Sequence, residues 1–192
     1  MLNLITKSKI RQKIILLFVY SSDKSYYLSE IARLIGSSPG TTQRELERLV
    51  KNGLLLKEKK SNSVYFKTNT ANSVFNDFKN IVDKTIGIKH ILKEELENAK
   101  GIDFAFLFGS YVKDDFGPSS DIDLYIIGVI KEKDLYEAMK KVEAKIYREI
   151  NYHLANQEEF KKELKKSFFH KEILENFILI LGDEDEFRKF IN

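Results

Sequence analysis

The sequence predicts an α+β fold, and three observations support this class. Apolar residues recur at helical spacing in three segments before residue 54, two short strand-like runs follow them, and strands alternate with helices after residue 100. The 192 residues are 43% hydrophobic, which is enough for buried cores. We expect two domains, at residues 1–68 and 100–192, joined by a helical connector at residues 69–99.

The charge distribution separates the two expected domains. Residues 1–68 hold 13 Lys and Arg against 5 Asp and Glu, whereas residues 69–192 hold 19 against 24. A basic segment of this kind indicates a polyanionic partner when a binding motif accompanies it.

Composition also excludes several classes of protein. The chain has no cysteine, so it has no disulfide, no thiolate metal site and no cysteine nucleophile. The apolar run "IILLFVY" at residues 14–20 is too short to span a bilayer, and no small-residue cleavage site follows it. We expect a cytoplasmic protein with no membrane partner.

The first 68 residues predict the order helix, helix, helix, hairpin. "SKIRQKIILLFVYS" has a core-facing apolar stripe, and "LSEIARLIG" is a short second helix that ends at Gly36. In "SSPGTTQRELERLVKNG", Ser38 caps a third helix, Pro39 lies in its first turn, and Gly53 closes it. The strand-like runs "LLLKEK" and "SVYFKT" surround a polar turn.

This order, over "LSEIARLIGSSPGTTQRELERLVKNGLLLKEKKSNSVYF", resembles the winged helix-turn-helix family of DNA-binding domains, and the resemblance covers about a third of the chain. It implies double-stranded DNA as a partner, with the third helix in the major groove and the hairpin against the backbone or minor groove. The alternative is a winged helix used for protein contact, with a merely solvated helical face. The candidate DNA-contacting residues are Thr41, Gln43, Arg44 and Arg48 on the third helix and Lys57, Lys59 and Lys60 on the hairpin.

The connector has mixed helical spacing that is interrupted at Gly87, which predicts one long helix or two shorter ones. It either packs the two domains together or forms the dimer helix of a homodimer. Both alternatives stay open at the level of sequence.

A possible phosphate site follows the buried strand "DFAFLFG". The end of this strand brings Gly109 and Ser110 to the start of the short helix "SYVKDDFG". A glycine that permits close backbone approach, a hydroxyl that donates and a helix start together suit a phosphate group.

Two carboxylates lie on the next strand, "DIDLYIIG". Alternation puts Asp121, Asp123 and Tyr125 on one face and Ile122, Leu124 and Ile126 on the core face. Neighbouring carboxylates repel each other, and a hard divalent cation relieves that repulsion. Mg²⁺, or Mn²⁺ in its place, is the natural candidate because it combines few carboxylates with phosphate oxygens.

The combined pattern in "LFGSYVKDDFGPSSDIDL" resembles the DNA polymerase beta-like nucleotidyltransferase superfamily, in particular its minimal members, over residues 100–192. The resemblance implies a small mixed β-sheet flanked by helices. It implies that Gly109 and Ser110 hold the phosphates of an NTP, that Asp121 and Asp123 ligate the metal, and that an acceptor hydroxyl attacks the α-phosphate. Minimal members often act as antitoxins, so a small partner protein is also implied.

The family places a third carboxylate on a later strand, here "REINYHLA". Glu149, Asn151 and His153 would share its polar face, with Ile150, Tyr152 and Leu154 towards the core. The family's acidic position falls on Asn151, which cannot act as a base. Either Glu149 takes over as a catalytic residue, or the site binds nucleotide without turning it over; His153 is interpreted as a surface histidine.

The sequence therefore leaves two candidate functions open. The first is a DNA-binding transcriptional regulator whose nucleotidyltransferase-like domain binds Mg-NTP with weakened catalysis. The alternative is an active Mg²⁺-dependent nucleotidyltransferase that transfers NMP to a protein, a small molecule or RNA, and that is recruited or autoregulated through its winged helix. The last 37 residues predict one or two helices, the strand "FILILG" and a short terminal helix that begins near Asp183.

Overall fold

The computed structural model describes residues 6–60, 62–113, 117 and 120–191. The chain forms two compact units, Met1–His90 with Lys145–Tyr147, and Ile91–Ala144 with Arg148–Asn192. No helix in these described ranges is both long enough and apolar enough to cross a membrane.

The first unit has the predicted order of helices and strands, with one short strand in addition. The elements are α1 (Lys9–Tyr20), β1 (Ser25–Tyr27), α2 (Leu28–Ile35), α3 (Pro39–Lys51), β2 (Leu55–Lys60), β3 (Ser63–Thr68) and α4 (Phe75–Thr85). The strands are antiparallel in the order β1-β3-β2. Strand β1 has only three residues, and a pattern this short does not allow a strand to be predicted from the sequence.

The termini of α2 and α3 follow the chemistry that the sequence predicts. Gly36 ends α2 in the left-handed conformation, at a φ of 65°. The Ser38 hydroxyl accepts a hydrogen bond from the Thr41 N–H at 3.3 Å and thereby caps α3. The end of α2 and the start of α3 are thus determined by local sequence.

The core of the first unit is formed by the apolar stripes of its helices and by the inner face of its sheet. Its buried members include Ile14, Leu17, Phe18, Ile31, Ile35, Leu46 and Leu55. One charged residue, Glu45, is buried beside them and is paired with Arg11 at 2.7 Å and with Arg48 at 3.1 Å. Because both partners satisfy the carboxylate, Glu45 is tolerated on the inner side of α3.

The connector contains two helices, as one of the sequence alternatives predicts. Helix α5 (Ile88–Glu97) follows α4 after a break at Gly87. The break is enforced by packing, because a Cβ on Gly87 would lie against the Tyr20 hydroxyl and 3.0 Å from Asp83 Oδ1. The Tyr20 hydroxyl in turn donates to Asp83 and accepts the Ile88 N–H at 3.0 Å.

The second unit is a mixed sheet flanked by helices, which confirms the predicted α+β class. Its elements are β4 (Ile102–Phe108), a 3₁₀ turn (Gly109–Tyr111), β5 (Ile122–Gly128), α6 (Glu132–Ile146), β6 (Ile150–Ala155), α7 (Gln157–Lys166), α8 (Phe168–Ile173), β7 (Ile178–Leu181) and α9 (Glu184–Ile191). The strand order is β6-β5-β4-β7. Strand β5 pairs antiparallel with β4 and parallel with β6.

Both faces of the central strands β4 and β5 are buried. One face carries an aromatic core that extends onto α7 and α9 and includes Phe104, Phe106, Phe108, Tyr125, Phe160 and Phe187. Tyr125 therefore belongs to the core, although it shares a face with Asp123. Only the beginning of β5 is left for a polar site on this face.

Strand β6 departs from the predicted burial. Tyr152 and Leu154 are each 37% exposed, although alternation predicted them in the core. The reason is the position of β6 at the edge of the sheet, where fewer elements cover it.

Candidate functional site

The Gly109–Ser110 turn lies directly beside Asp123. Phe108, the last residue of β4, pairs with Asp123 on β5, so the chain turns next to this carboxylate. Gly109 has a φ of 71°, and a Cβ in its place would lie against Asp123 Oδ2 and 3.2 Å from Asp123 Cγ. A glycine is required here for both its conformation and its lack of a side chain.

The turn is short and tightly hydrogen-bonded. The Val112 and Lys113 N–H groups both donate to the Gly109 carbonyl, at 3.2 and 3.3 Å. Ser110 is half-buried within this turn. The predicted helix "SYVKDDFG" is thus a 3₁₀ turn at its start, and residues 114–116 lie outside the described residues.

The two aspartates have different environments. Asp121 is exposed and precedes β5, whereas Asp123 is half-buried within it. Burial raises the pKa of Asp123, the hydrogen bond from Asn151 opposes this, the charge of Asp121 adds to the rise, and His153 lowers it. The pair therefore concentrates negative charge at a place where solvent only partly screens it.

These residues fit one divalent cation that is shared with a phosphate chain. In the described part of the chain, no group of three or more His, Cys, Asp or Glu residues is arranged to hold a metal ion. A complete protein cage is not needed for Mg²⁺, which is usually held by one or two carboxylates together with water and substrate phosphates. Asp121 and Asp123 supply the two carboxylates, and the glycine turn beside them lets a phosphate group approach the backbone closely.

Asn151 is the residue that contacts the aspartates from β6. It lies opposite Asp123 in the parallel β5–β6 register, and its Nδ2 donates to Asp121 Oδ2 at 3.2 Å. Glu149 is exposed and lies before β6. The pKa of Lys140 in α6 is raised chiefly by its hydrogen bond to Glu143, with a small contribution from Glu149.

His153 and Phe169 also lie beside the site. Sequence reasoning interpreted His153 as a surface histidine, and it is exposed; Phe169 was not predicted to lie here. His153 stacks on Tyr125 at 5.6 Å and 13°, and Tyr125 stacks on Phe106 at 5.5 Å and 4°. Phe169 on α8 packs against His153 at 5.6 Å. Alternation along β6 placed His153 on the face of Asn151, but nothing in the sequence indicated that α8 would approach this face.

The candidate DNA-contacting residues occupy α3 and β2. Gln43, Arg44 and Arg48 are exposed on α3, and Thr41 is half-buried at its start; Lys57, Lys59 and Lys60 are exposed along β2. Several of these side chains have partners within the unit. Arg44 donates to the Gly40 carbonyl at 3.3 Å, Arg48 to Glu45 at 3.1 Å and Lys57 to Glu47 at 2.5 Å.

The solved structures that resemble this chain do so weakly. A toxin–antitoxin complex with AMP-PNP is 14% identical, with a TM-score of 0.40 over 54% of this chain and 80% of that one. A tri-AMPylated Shewanella oneidensis HEPN toxin in complex with MNT antitoxin is 12% identical, with a TM-score of 0.35 over 54% and 80%. An inferred nucleotidyltransferase from Sulfolobus solfataricus is 22% identical, with a TM-score of 0.30 over 50% and 78%. Likenesses at these scores carry no inference about this chain.

A family assignment comes from the sequence itself. No curated protein matches the chain. The family described as Polymerase beta, Nucleotidyltransferase matches residues 90–186, just over half of the chain, and the matched range contains the turn, both aspartates and Asn151. The chain belongs to the Polymerase beta, Nucleotidyltransferase family.

Proposed function

We propose that the second unit is a nucleotidyltransferase that binds an NTP with Mg²⁺ or Mn²⁺ and transfers NMP to an acceptor hydroxyl. The observation that carries this proposal is the contact between the Gly109 turn and Asp123, with Asp121 two residues away, in a member of this family. The turn is a phosphate site and the carboxylates are a cation site, and a triphosphate requires both together.

The residues have separate roles in this proposal. The backbone of Gly109 and the hydroxyl of Ser110 hold phosphate oxygens, and Asp121 and Asp123 hold the cation. A bound cation neutralises the charge that develops on the phosphate oxygens during transfer. Asp123, whose pKa is raised by burial, gains more from a bound cation than an exposed carboxylate would.

The transfer forms a bond between the acceptor oxygen and the α-phosphorus. The bond from this phosphorus to the oxygen that bridges to the β-phosphate breaks, and pyrophosphate leaves. The proton of the acceptor hydroxyl goes to solvent, because Asn151 is an amide at the place where a carboxylate would take it. We therefore expect turnover to be slow compared with an enzyme that has a third carboxylate at this place.

The test is the transfer of label from each α-³²P-labelled NTP, with Mg²⁺ and with Mn²⁺, in an extract of the native cells. We expect a labelled product from the wild-type chain and none from Asp123→Asn. The mass of the labelled product distinguishes a protein, an RNA and a small-molecule acceptor. No label on any product, for every NTP and both metals, contradicts the proposal.

A second candidate function, DNA binding by the first unit, is favoured by one specific observation. The helices α2 and α3 follow each other after three residues, and the outer side of α3 carries Gln43, Arg44 and Arg48 next to the lysines of β2. A winged helix-turn-helix presents its third helix and hairpin to DNA in this way. The ion pairs of Arg48 and Lys57 have to rearrange for phosphate contact, which weakens binding.

Electrophoretic mobility shifts with fragments of the native genome, at several salt concentrations, test this second function. We expect one fragment to be retained preferentially, and Arg44→Ala to weaken its binding by about 5- to 150-fold if Arg44 contacts a base. Lys131→Ala, in the other unit, is the control. Equal retention of all fragments at every salt concentration contradicts sequence-specific DNA binding.

A further inference from the structure

A small cavity adjoins the phosphate turn. It has a volume of about 130 Å³, and Gly109 is part of its wall. Phe169 and Glu172 of α8 line another wall, together with Lys113 and Asn176. A ligand that is held at Gly109 by its phosphates therefore has this cavity within its reach.

The size of the cavity selects one part of a nucleotide. A volume of about 130 Å³ is several times the roughly 30 Å³ of one water molecule in the liquid. It is well below the roughly 300–1,000 Å³ of pockets that enclose a whole drug-sized ligand. The cavity thus has room for one planar ring system, while the sugar and the phosphates extend from it along the turn.

Phe169 has the features of a stacking residue. Its ring is 39% exposed although it lines the cavity. It meets the rings of Phe108 and His170 at 80° and 89°, and that of His153 at 52°, and none of these contacts is parallel. These contacts fix the ring in place, and a planar ligand that stacks on it covers apolar surface that water now contacts.

The polar lining of the cavity suits the edge of a base. Lys113 and Glu172 form an ion pair at 3.4 Å in which both side chains are about half exposed. An ion pair this exposed is weak, so it opens at little cost when a ligand enters. Asn176 adds an amide, which both donates and accepts hydrogen bonds.

We propose that the nucleobase of the NTP occupies this cavity and stacks on Phe169, with Asn176 at its edge. The inference rests on the proposed function, because the triphosphate has to lie at Gly109 for the base to reach the cavity. It adds a binding role for α8 and makes Phe169 and Asn176 determinants of which nucleotide is used.

Calorimetric titration of the full chain, in Mg²⁺, with the best-bound of ATP, GTP, CTP and UTP and with inorganic tripolyphosphate, tests the inference. Phe169→Ala should weaken the nucleotide by about 10- to 100-fold and leave tripolyphosphate unchanged. Phe168→Ala is the matched control, since this neighbouring ring is 80% exposed and does not line the cavity. It should change neither affinity.

A second pair of variants separates stacking from packing. Phe169→Leu keeps most of the side-chain volume and should still lose nucleotide affinity, whereas Phe169→Tyr should retain it. Asn176→Asp should change the order of preference among the four nucleotides. The inference is overturned if Phe169→Ala and Phe169→Leu bind nucleotide as the wild type does, or if they lose tripolyphosphate equally. A wild-type chain that binds neither ligand contradicts the proposed function itself.

Discussion

Asn151 Nδ2 donates a hydrogen bond to Asp121 Oδ2 at 3.2 Å, and Asn151 lies in register with Asp123 on the neighbouring strand. One amide thus faces both carboxylates of the candidate cation site. A hydrogen bond from Asn151 to Asp123 also lowers the pKa of Asp123, which partly offsets the effect of burial. The amide stabilises two neighbouring negative charges where a third carboxylate would add to their repulsion.

Asn151→Asp should lower the stability of the metal-free chain and increase NMP transfer when the metal is present. Without a divalent cation the third carboxylate repels the other two, and we expect a melting temperature about 2–4 °C lower, which corresponds to ~1 kcal/mol. With Mg²⁺ or Mn²⁺ the order should reverse, and NMP transfer should increase. Thermal unfolding with and without the metal, followed by the transfer assay, measures both effects.

Glu149→Gln is the control for that variant. Glu149 is exposed and its charge acts on Lys140 of α6, so its loss should leave transfer unchanged. Loss of transfer in Glu149→Gln, with no gain in Asn151→Asp, would show that Glu149 is the working third carboxylate.

Asp123→Asn should stabilise the metal-free chain at neutral pH while it abolishes metal binding. Burial raises the pKa of Asp123 in the folded chain above its ordinary value of 3.8, so the folded state disfavours the charged form. The stability contributed by this carboxyl is therefore complete below pH 3.8 and is lost as the pH rises through the raised pKa. Thermal unfolding measured from about pH 3 to 8 should show the melting temperature of Asp123→Asn increasing relative to that of the wild type as the pH rises.

Asp121→Asn is the comparison for this effect, because Asp121 is exposed. Its only expected benefit is the removal of repulsion from Asp123, so its gain in melting temperature should be the smaller one. A greater gain for Asp121→Asn would contradict burial as the main cause of the shift at Asp123.

Gly109→Ala should disrupt the phosphate turn. The residue has a positive φ, which disfavours alanine by about 1–2 kcal/mol, and its Cβ would displace Asp123. We expect a lower melting temperature and loss of tripolyphosphate binding. Gly117→Ala is the matched control, since among the described residues a Cβ there comes within 4 Å only of Ser120 Oγ, at an ordinary 3.6 Å. Equal effects of the two substitutions would refute a special role for Gly109.

Tyr20→Phe should destabilise the first unit by about 1–3 kcal/mol. The variant removes the acceptor of the buried Ile88 N–H and a donor to Asp83. Chemical denaturation measures the loss, and Tyr27→Phe, at a side chain that is 44% exposed, should be close to neutral. Similar losses for both variants would contradict this account.

Asp83 gives the same region a pH dependence. Burial raises its pKa above 3.8, and the hydrogen bond from Tyr20 opposes the rise. The contribution of Asp83 to stability is therefore present below pH 3.8 and is lost as the pH rises through the raised pKa. In Asp83→Asn that loss disappears, so its melting temperature relative to the wild type should increase between pH 4 and 7. A constant difference across this range would contradict the shift.

Local chemistry made much of this fold predictable. Ser38 and Gly36 fixed helix ends through their own hydrogen bonding and backbone freedom, and Gly87 marked the break between α4 and α5. The alternation along β5 placed Asp121 and Asp123 on one side, and the neighbouring strand placed Asn151 with them. These features depend on residues that are close in sequence or adjacent in a sheet.

The rest depends on packing between distant segments. The sequence could not show that α7 and α8 pack against Tyr125, or that β6 ends the sheet and leaves Tyr152 and Leu154 partly exposed. The approach of Phe169 to His153 joins α8 to β6 and has no local signal. Helix α6 was also not predicted, since its segment contains no recognisable helix cap or motif.

The central claim is that the Gly109 turn and the two aspartates form one site for a metal-bound triphosphate. The most direct measurement is thermal unfolding of the wild type and of the Asp121→Asn, Asp123→Asn double variant, with each NTP and Mg²⁺. A ligand at a hundred times its Kd adds ~2.7 kcal/mol to stability, and each kcal/mol raises the melting temperature by about 2–4 °C in a chain of this size. We predict a nucleotide-selective rise that requires Mg²⁺ and is absent in the double variant. No rise with any nucleotide, or an equal rise in the double variant, would contradict the account.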